Sequence, residues 1–469
     1  MPRRVLSAIV AIFALPAGLA AQGAPRDLTP LVNRVFARWD SATSPGCAVG
    51  IDRAGSPRFT RAFGLADLEY DIPNKPETIF EAGSVSKQFT AAATVLLALD
   101  GKLDLADDVR KYVPELPAYE RPITIRHLLN HTSGLRDWGE VAGLAGWPRE
   151  TRVHTHDHVL DILTRQRALN YPPGDRYSYT NSGYNLLAII VSRVSGQSFA
   201  SFSNQRLFKP LGLTSTQWRD DFRRVVKGRA QAYSVGSGQW QLEMPFENVH
   251  GNGGLLTTVG DLLTWTAMLE RPTPAWKPMV DSLHVRGILT KGDTITYARG
   301  LVVSNYRGVP RVEHSGATAG YRADLLRFPG KGLAVAVLCN AASAAATTYA
   351  NQIVDGVLGS ALGDVPPRDV TVLDSAVRMS SLAATELAAY AGTYYSPDVE
   401  TTLEVSVTNG ALTLFRRPST RTVLRPVSKD RFAGFSNAVW FTRDASGRVN
   451  ALHVGGGRAY DVVFERRTQ

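Results

Sequence analysis

The sequence predicts an α/β sandwich with a helical insert, followed by a small β-barrel. Three observations carry that expectation. Strand-like runs stand near both ends of the first 359 residues, with helical spacing between them. A Gly- and Pro-rich break follows at 359–367, and the remaining hundred residues are cut into short alternating strands. Two strands first, helices in the middle and strands plus a helix last form one sheet from both chain ends.

Taken in order, 27–40 has apolar residues at helical spacing (Leu28, Leu31, Val32, Val35, Phe36). Segments 46–51 and 59–65 read as strands across a turn at Ala54-Gly55-Ser56. Segment 84–100 reads as one buried helix. Its run from Ala91 to Leu99 is apolar on nearly every side, and Gly101 suits the left-handed residue just past a helix end. Further helical pieces lie at 124–129, 159–165, 186–194 and 199–208, and Thr258-Val259-Gly260-Asp261 has the form of a capping box. Strands return at 300–304, 309–313, 322–328 and 333–338, and a helix over 345–358 ends this part.

The linker is placed at 360–385 and a barrel domain at 386–469. Barrel strands are expected at 403–407, 412–415, 422–424, 439–442, 449–454 and 460–464, and Asn409-Gly410 supplies a hairpin signal. Closure of such strands into a barrel removes exposed edges. The barrel segment carries no catalytic constellation in this reading.

With 469 residues the chain exceeds ordinary single-domain size, and 44% apolar against 20% charged residues is enough for a full core. The net charge of +10 is spread along the chain rather than gathered in a basic stripe, which argues against a nucleic-acid partner. Residues 1–20 read as an export signal. Arg3 and Arg4 precede an apolar core at 5–15 too short to span a bilayer, and Gly18 and Ala20 are placed for cleavage after Ala20; an uncleaved anchor is the alternative. No other stretch approaches 18 apolar residues, so no membrane span is expected in the mature, periplasmic or secreted chain. Export allows Cys47 and Cys339 to form a disulfide, and two buried free thiols are the equal alternative.

The chemistry is concentrated at the start of the 84–100 helix. Residues three apart share a helix face, so Ser84 Oγ and the Lys87 amine can meet. Free N–H groups and partial positive charge at a helix N-terminus favour a developing oxyanion. Desolvation among Ala and Leu neighbours lowers the pKa of Lys87 and makes it a usable base. Tyr179 and Asn181 form a Y-x-N at another helix start: a phenol near an amine can relay a proton, and Asn can hold both Lys87 and a substrate amide. His314-Ser315-Gly316 ends a strand. A hydrogen-bonding side chain, a hydroxyl and a glycine suit an edge that holds an acyl substrate, the glycine allowing close backbone approach.

In the order Ser84-x-x-Lys87, Tyr179-x-Asn181, His314-Ser315-Gly316, these motifs resemble the penicillin-recognising serine hydrolases: class C β-lactamases, serine DD-peptidases, and their D-aminopeptidase and esterase relatives. The resemblance covers about 27–359 and includes the segments 126–135 and 253–258. It implies a β-lactamase/transpeptidase-like sandwich over 21–359, with the barrel similar to the lipocalin-like accessory barrels of some D-aminopeptidase relatives. It also implies Ser84 as nucleophile, Lys87 and Tyr179 as acid/base pair, and Asn181, His314, Ser315 and Gly316 as substrate-binding residues. The oxyanion hole would be the N–H groups of Ser84 and Ala317, with no metal or cofactor.

One position departs from the pattern. Class C β-lactamases carry Lys in the third motif, where this chain has His314, largely neutral at its ordinary pKa of about 6.5. The implied activity is therefore hydrolysis of an amide or ester through a Ser84 acyl-enzyme, on a D-amino-acid peptide or a small ester. A broad-spectrum β-lactamase is the alternative, and a penicillin-binding sensor with little turnover the second. His154-Thr155-His156-Asp157-His158 reads as a solvated helix start rather than a metal cluster, and His127 and His131 as structural. G-x-S-x-G and P-loop motifs do not occur.

Overall fold

The computed structural model describes residues 27–149, 151–365, 382–434 and 437–467. The leader expected over 1–20 and most of the linker expected over 360–385 lie outside these. A six-stranded antiparallel sheet runs in the order Val302–Tyr306, Val309–Thr318, Tyr321–Phe328, Leu333–Cys339, Cys47–Arg53, Phe59–Phe63, so both chain ends do build one sheet. Leu333–Cys339 is buried at every position, as a continuous apolar run in a covered sheet should be. Cys47 stands directly opposite Cys339 across the strand pair and is disulfide-bonded to it, which decides between the two alternatives.

Helices Thr29–Phe36 and Ala346–Leu358 cover one sheet face around Val32, Phe36, Ile353 and Val354. Val259–Glu270 covers the other, and beyond it lie Lys87–Leu99 and Asn181–Ser195. Within Lys87–Leu99, eleven of thirteen residues are buried, so this helix is gripped on all sides; Phe89 packs on Trp265 and Phe208. Its first turn differs from expectation. Gly83–Ser86 is a tighter 3₁₀ turn, entered through Gly83 at φ +51°, and Ser86 Oγ closes it by donating to Gly83 O while accepting from Leu255 N.

The insert holds one correction. His154-Thr155-His156 does open a helix, His156–Thr164 with Thr155 as cap, but it is not solvated: His154 is 2% exposed and His156 Nε2 packs on the His250 backbone. The helix that carries His127 ends at Leu129, and His131 takes a positive φ beyond it. The helix expected at 186–194 begins earlier, at Asn181, because Thr180 caps it through Ser182 N, and it stops at left-handed Gly196.

The C-terminal part is a closed eight-stranded barrel, from Gly392–Ser396 to Ala459–Arg466, the first strand pairing with the last. Two of its strands, Gly392–Ser396 and Arg431–Gly434, escaped the sequence reading, being short with Gly and Ala where alternation would show. The strand expected at 309–313 runs on to Thr318, held by Tyr321–Phe328 on one side. On the other side its pairing with Val302–Tyr306 stops at Glu313, so the edge from His314 to Thr318 lies open.

The Cys47–Cys339 bond closes a loop of 292 residues. Replacing both cysteines by alanine should lower the unfolding free energy by about 2–4 kcal/mol, read from urea melts of native and variant chains.

Candidate active site

Three remote segments converge on one amine. Lys87 Nζ lies 3.1 Å from Ser84 Oγ, 3.1 Å from Asn181 Oδ1 and 2.7 Å from the carbonyl oxygen of Asn252. All three partners are uncharged, and Lys87 has no exposed surface. Burial therefore drives its pKa well below the ordinary lysine value, and the nearby Arg458 guanidinium pushes the same way. A neutral amine fits the partner set: its two hydrogens serve the two carbonyl-type acceptors, Asn181 Oδ1 and Asn252 O, and its lone pair is left for the Ser84 hydroxyl proton.

Tyr179 closes the other side of Ser84. Burial raises its phenol above the tyrosine range, and a hydrogen bond to Ser84 works against that rise. The Lys87 amine sits 4.8 Å from its ring centroid. Asn181 is the first residue of its helix, and its backbone N–H donates to Asp137 Oδ2 at 2.7 Å, which fixes the side chain toward Lys87.

The opposite wall is the open strand edge. His314 Nδ1 lies 2.7 Å from Ser315 O and its Nε2 3.0 Å from Tyr297 Oη. A carbonyl only accepts, so Nδ1 carries the proton and Nε2 accepts from the Tyr297 hydroxyl. Burial depresses the His314 pKa to about 4, so the third motif itself carries no cation near neutrality; Arg322, on the paired strand, lines the same cleft.

Two glycines bring the wall and the serine turn together. A Cβ on Gly316 would fall 2.0 Å from Ala82 O and 3.0 Å from Ser84 N; one on Gly83 would fall 2.6 Å from Ala317 N. The sequence reading reserved the space at Gly316 for substrate. The protein's own backbone fills the position of the missing Cβ, which brings Ser84 N and Ala317 N close to this pair of glycines, while Gly316 also lines the cleft.

Ser84, Tyr179, Asn181, His314, Ser315, Gly316 and Ala317 all line one cleft of about 690 Å³, with Lys87 beneath it. The arrangement can deprotonate a hydroxyl, bind a carbonyl oxygen between two N–H groups and return a proton. Four contributors escaped the sequence reading: Asn252, Asp137, Tyr297 and Arg458. Asn252 adjoins the recognised 253–258 segment and so had a local signal; the others had none. Arg458 brings the barrel to the site, a role the sequence left open. Its guanidinium stands 4.9 Å from the Tyr179 ring centroid and lines the cleft.

A family profile described as Beta-lactamase matches residues 31–357. The chain is 29% identical over 395 residues to Penicillin-binding protein 4* of Bacillus subtilis, covering 81% of this chain and 85% of that one. It is 30% identical over 317 residues to a D-aminopeptidase of Gluconobacter oxydans, covering 67% of this chain but only 59% of the relative. Among solved structures, the octameric penicillin-binding protein homologue from Pyrococcus abyssi superposes with a TM-score of 0.63 at 24% identity, over 94% of this chain and 100% of that one. This last likeness speaks to fold alone.

The tautomer assigned to His314 is measurable. Nitrogen NMR of histidine-labelled protein should show it neutral with Nδ1 protonated from pH 5.5 to 8, titrating only near pH 4.

Proposed function

The chain belongs to the Beta-lactamase family and is a serine hydrolase, and we propose that it hydrolyses an amide or ester of a D-amino-acid peptide, or a small ester, through a Ser84 acyl-enzyme. The observation that carries this reading is the buried contact of the Lys87 amine with Ser84 Oγ and Asn181 Oδ1 inside the cleft.

In this mechanism Lys87 accepts the Ser84 proton as Oγ attacks the substrate carbonyl. The oxyanion is held by the N–H groups of Ser84 and Ala317, donors of a kind worth about 3–4 kcal/mol of barrier each. Lys87 and Tyr179 pass the proton to the leaving amine or alcohol. Water then enters by the same route in reverse and releases the acid. Asn181 holds the substrate amide, and Ser315 and His314 line the other side. Tyr179, held as a phenol by burial, acts as a proton donor and relay.

The likeness to a D-aminopeptidase and to a penicillin-binding protein supports the D-peptide assignment. So does the neutral third motif, which offers no fixed cation to a β-lactam carboxylate. We place the protein outside the cytoplasm, periplasmic or secreted, on the strength of residues 1–20 and the Cys47–Cys339 bond, since disulfides persist in oxidising compartments. No single helix among the described residues is long and apolar enough to cross a membrane.

Ser84→Ala should lower kcat on D-aminoacyl anilides by about 10⁴-fold or more, as removal of a nucleophile does elsewhere. The assay compares D- and L-aminoacyl anilides, short esters and a chromogenic cephalosporin. Preferred turnover of the cephalosporin, or full activity in the Ser84→Ala chain, contradicts the reading. So does a stable penicillin adduct with no turnover of any substrate.

A further inference from the structure

The third motif itself carries no charge; Arg149, Arg322 and Arg458 line the cleft, and Arg458, which comes from the barrel, stands over the Tyr179 ring. The hairpin between Val449–Gly456 and Ala459–Arg466 enters the cleft, turning through Gly457 at φ +55°. Its anchors are main-chain atoms and a neighbour. Arg458 O accepts from Asp137 N at 3.1 Å and from Asn170 Nδ2 at 3.0 Å, Tyr460 N donates to Asn170 Oδ1 at 2.9 Å, and Tyr460 Oη meets Ser178 Oγ at 2.9 Å. Those contacts grip both ends of the segment that carries Tyr179: Ser178 directly, and Asn181 through Asp137.

The Arg458 side chain takes no part in that docking. Its guanidinium lies 4.9 Å from the Tyr179 ring centroid, and its nearest carboxylate oxygen, Asp137 Oδ2, is 3.7 Å away and already accepts the Asn181 N–H. We propose that Arg458 is the positioning residue of the acid/base pair: the barrel supplies, within the same chain, the positive charge beside Tyr179 and Lys87 that His314 does not provide. The assignment rests on the reading of Ser84, Lys87 and Tyr179 as the acylating centre.

The charged and titratable groups around it set the sign. Asp137 and Glu140 face Arg458 from the Trp138–Leu144 helix and its cap; Tyr177, Tyr179, His131 and Lys87 face it from the catalytic side; Arg149 lines both the cleft and the neighbouring cavity and pushes Lys87 the same way, and Arg416 lines that cavity. A cation favours neutral Lys87 over ammonium and phenolate over phenol. The first effect extends reactivity of Ser84 to lower pH, while burial keeps Tyr179 a phenol. Removing it moves the acid limb upward.

The test is the rate of Ser84 labelling by a fluorophosphonate between pH 5 and 10, which needs no knowledge of the natural substrate. Arg458→Ala keeps the main-chain anchors, and a thermal melt checks that it stays folded. Its acid limb should shift up by about one pH unit, while Arg458→Lys stays with the native chain. Superimposed native and Arg458→Ala profiles, or a uniformly slower rate with an unmoved limb, overturn the proposal. A native chain that does not label at Ser84 overturns the serine-hydrolase centre, and this proposal with it.

Discussion

Everything in this molecule answers to one constraint: a lysine amine held out of water beside a serine hydroxyl. Deprotonating a lysine at pH 7 costs roughly 5 kcal/mol, at about 1.4 kcal/mol per pH unit. Burial among uncharged partners holds the Lys87 pKa well below the ordinary lysine value and so favours the neutral amine. In the proposed mechanism Lys87 is a base by virtue of where it sits. Its environment comes from the Lys87–Leu99 helix, sunk so fully in the core that its first residue has no exposed surface.

Holding that environment together takes contacts far apart in sequence. Asn181 is brought in by the insert and oriented by Asp137; Asn252 arrives on the loop ahead of Gly253; Ser86 ties the turn to Leu255. The two backbones that present Ser84 N and Ala317 N approach closely because Gly83 and Gly316 carry no Cβ. The barrel is part of the same assembly. Buried Arg136 pairs with Asp398 at 2.8 Å, and the Arg458 hairpin enters the cleft beside it. The buried ion pair matters most for geometry, since leaving one partner alone in the interior costs about 3–5 kcal/mol.

What the sequence could disclose follows the range of each interaction. Ser84 and Lys87 are three apart and Tyr179 and Asn181 two apart, so their juxtaposition is written locally. That strands from both ends of the first 359 residues share one sheet was legible because those strands are contiguous apolar runs, Leu333–Cys339 above all. Arg458 was not, since nothing near it in sequence distinguishes a hairpin tip in a cleft from one in solvent. Gly316 was noticed for its missing Cβ, but that the Ala82 backbone packs into the vacant space could not be read from residues so far apart in sequence. Buried His154 and half-buried His156 were misplaced because a cap signal says where a helix begins and nothing about what later packs on it.

The charge state of one amine tests the account most directly. Carbon NMR of lysine labelled at Cε, assigned by comparison with Lys87→Arg, follows the Lys87 titration. The account predicts a pKa well below the usual 10.5, with the amine neutral where the enzyme works. An ammonium that persists to pH 10 would contradict it.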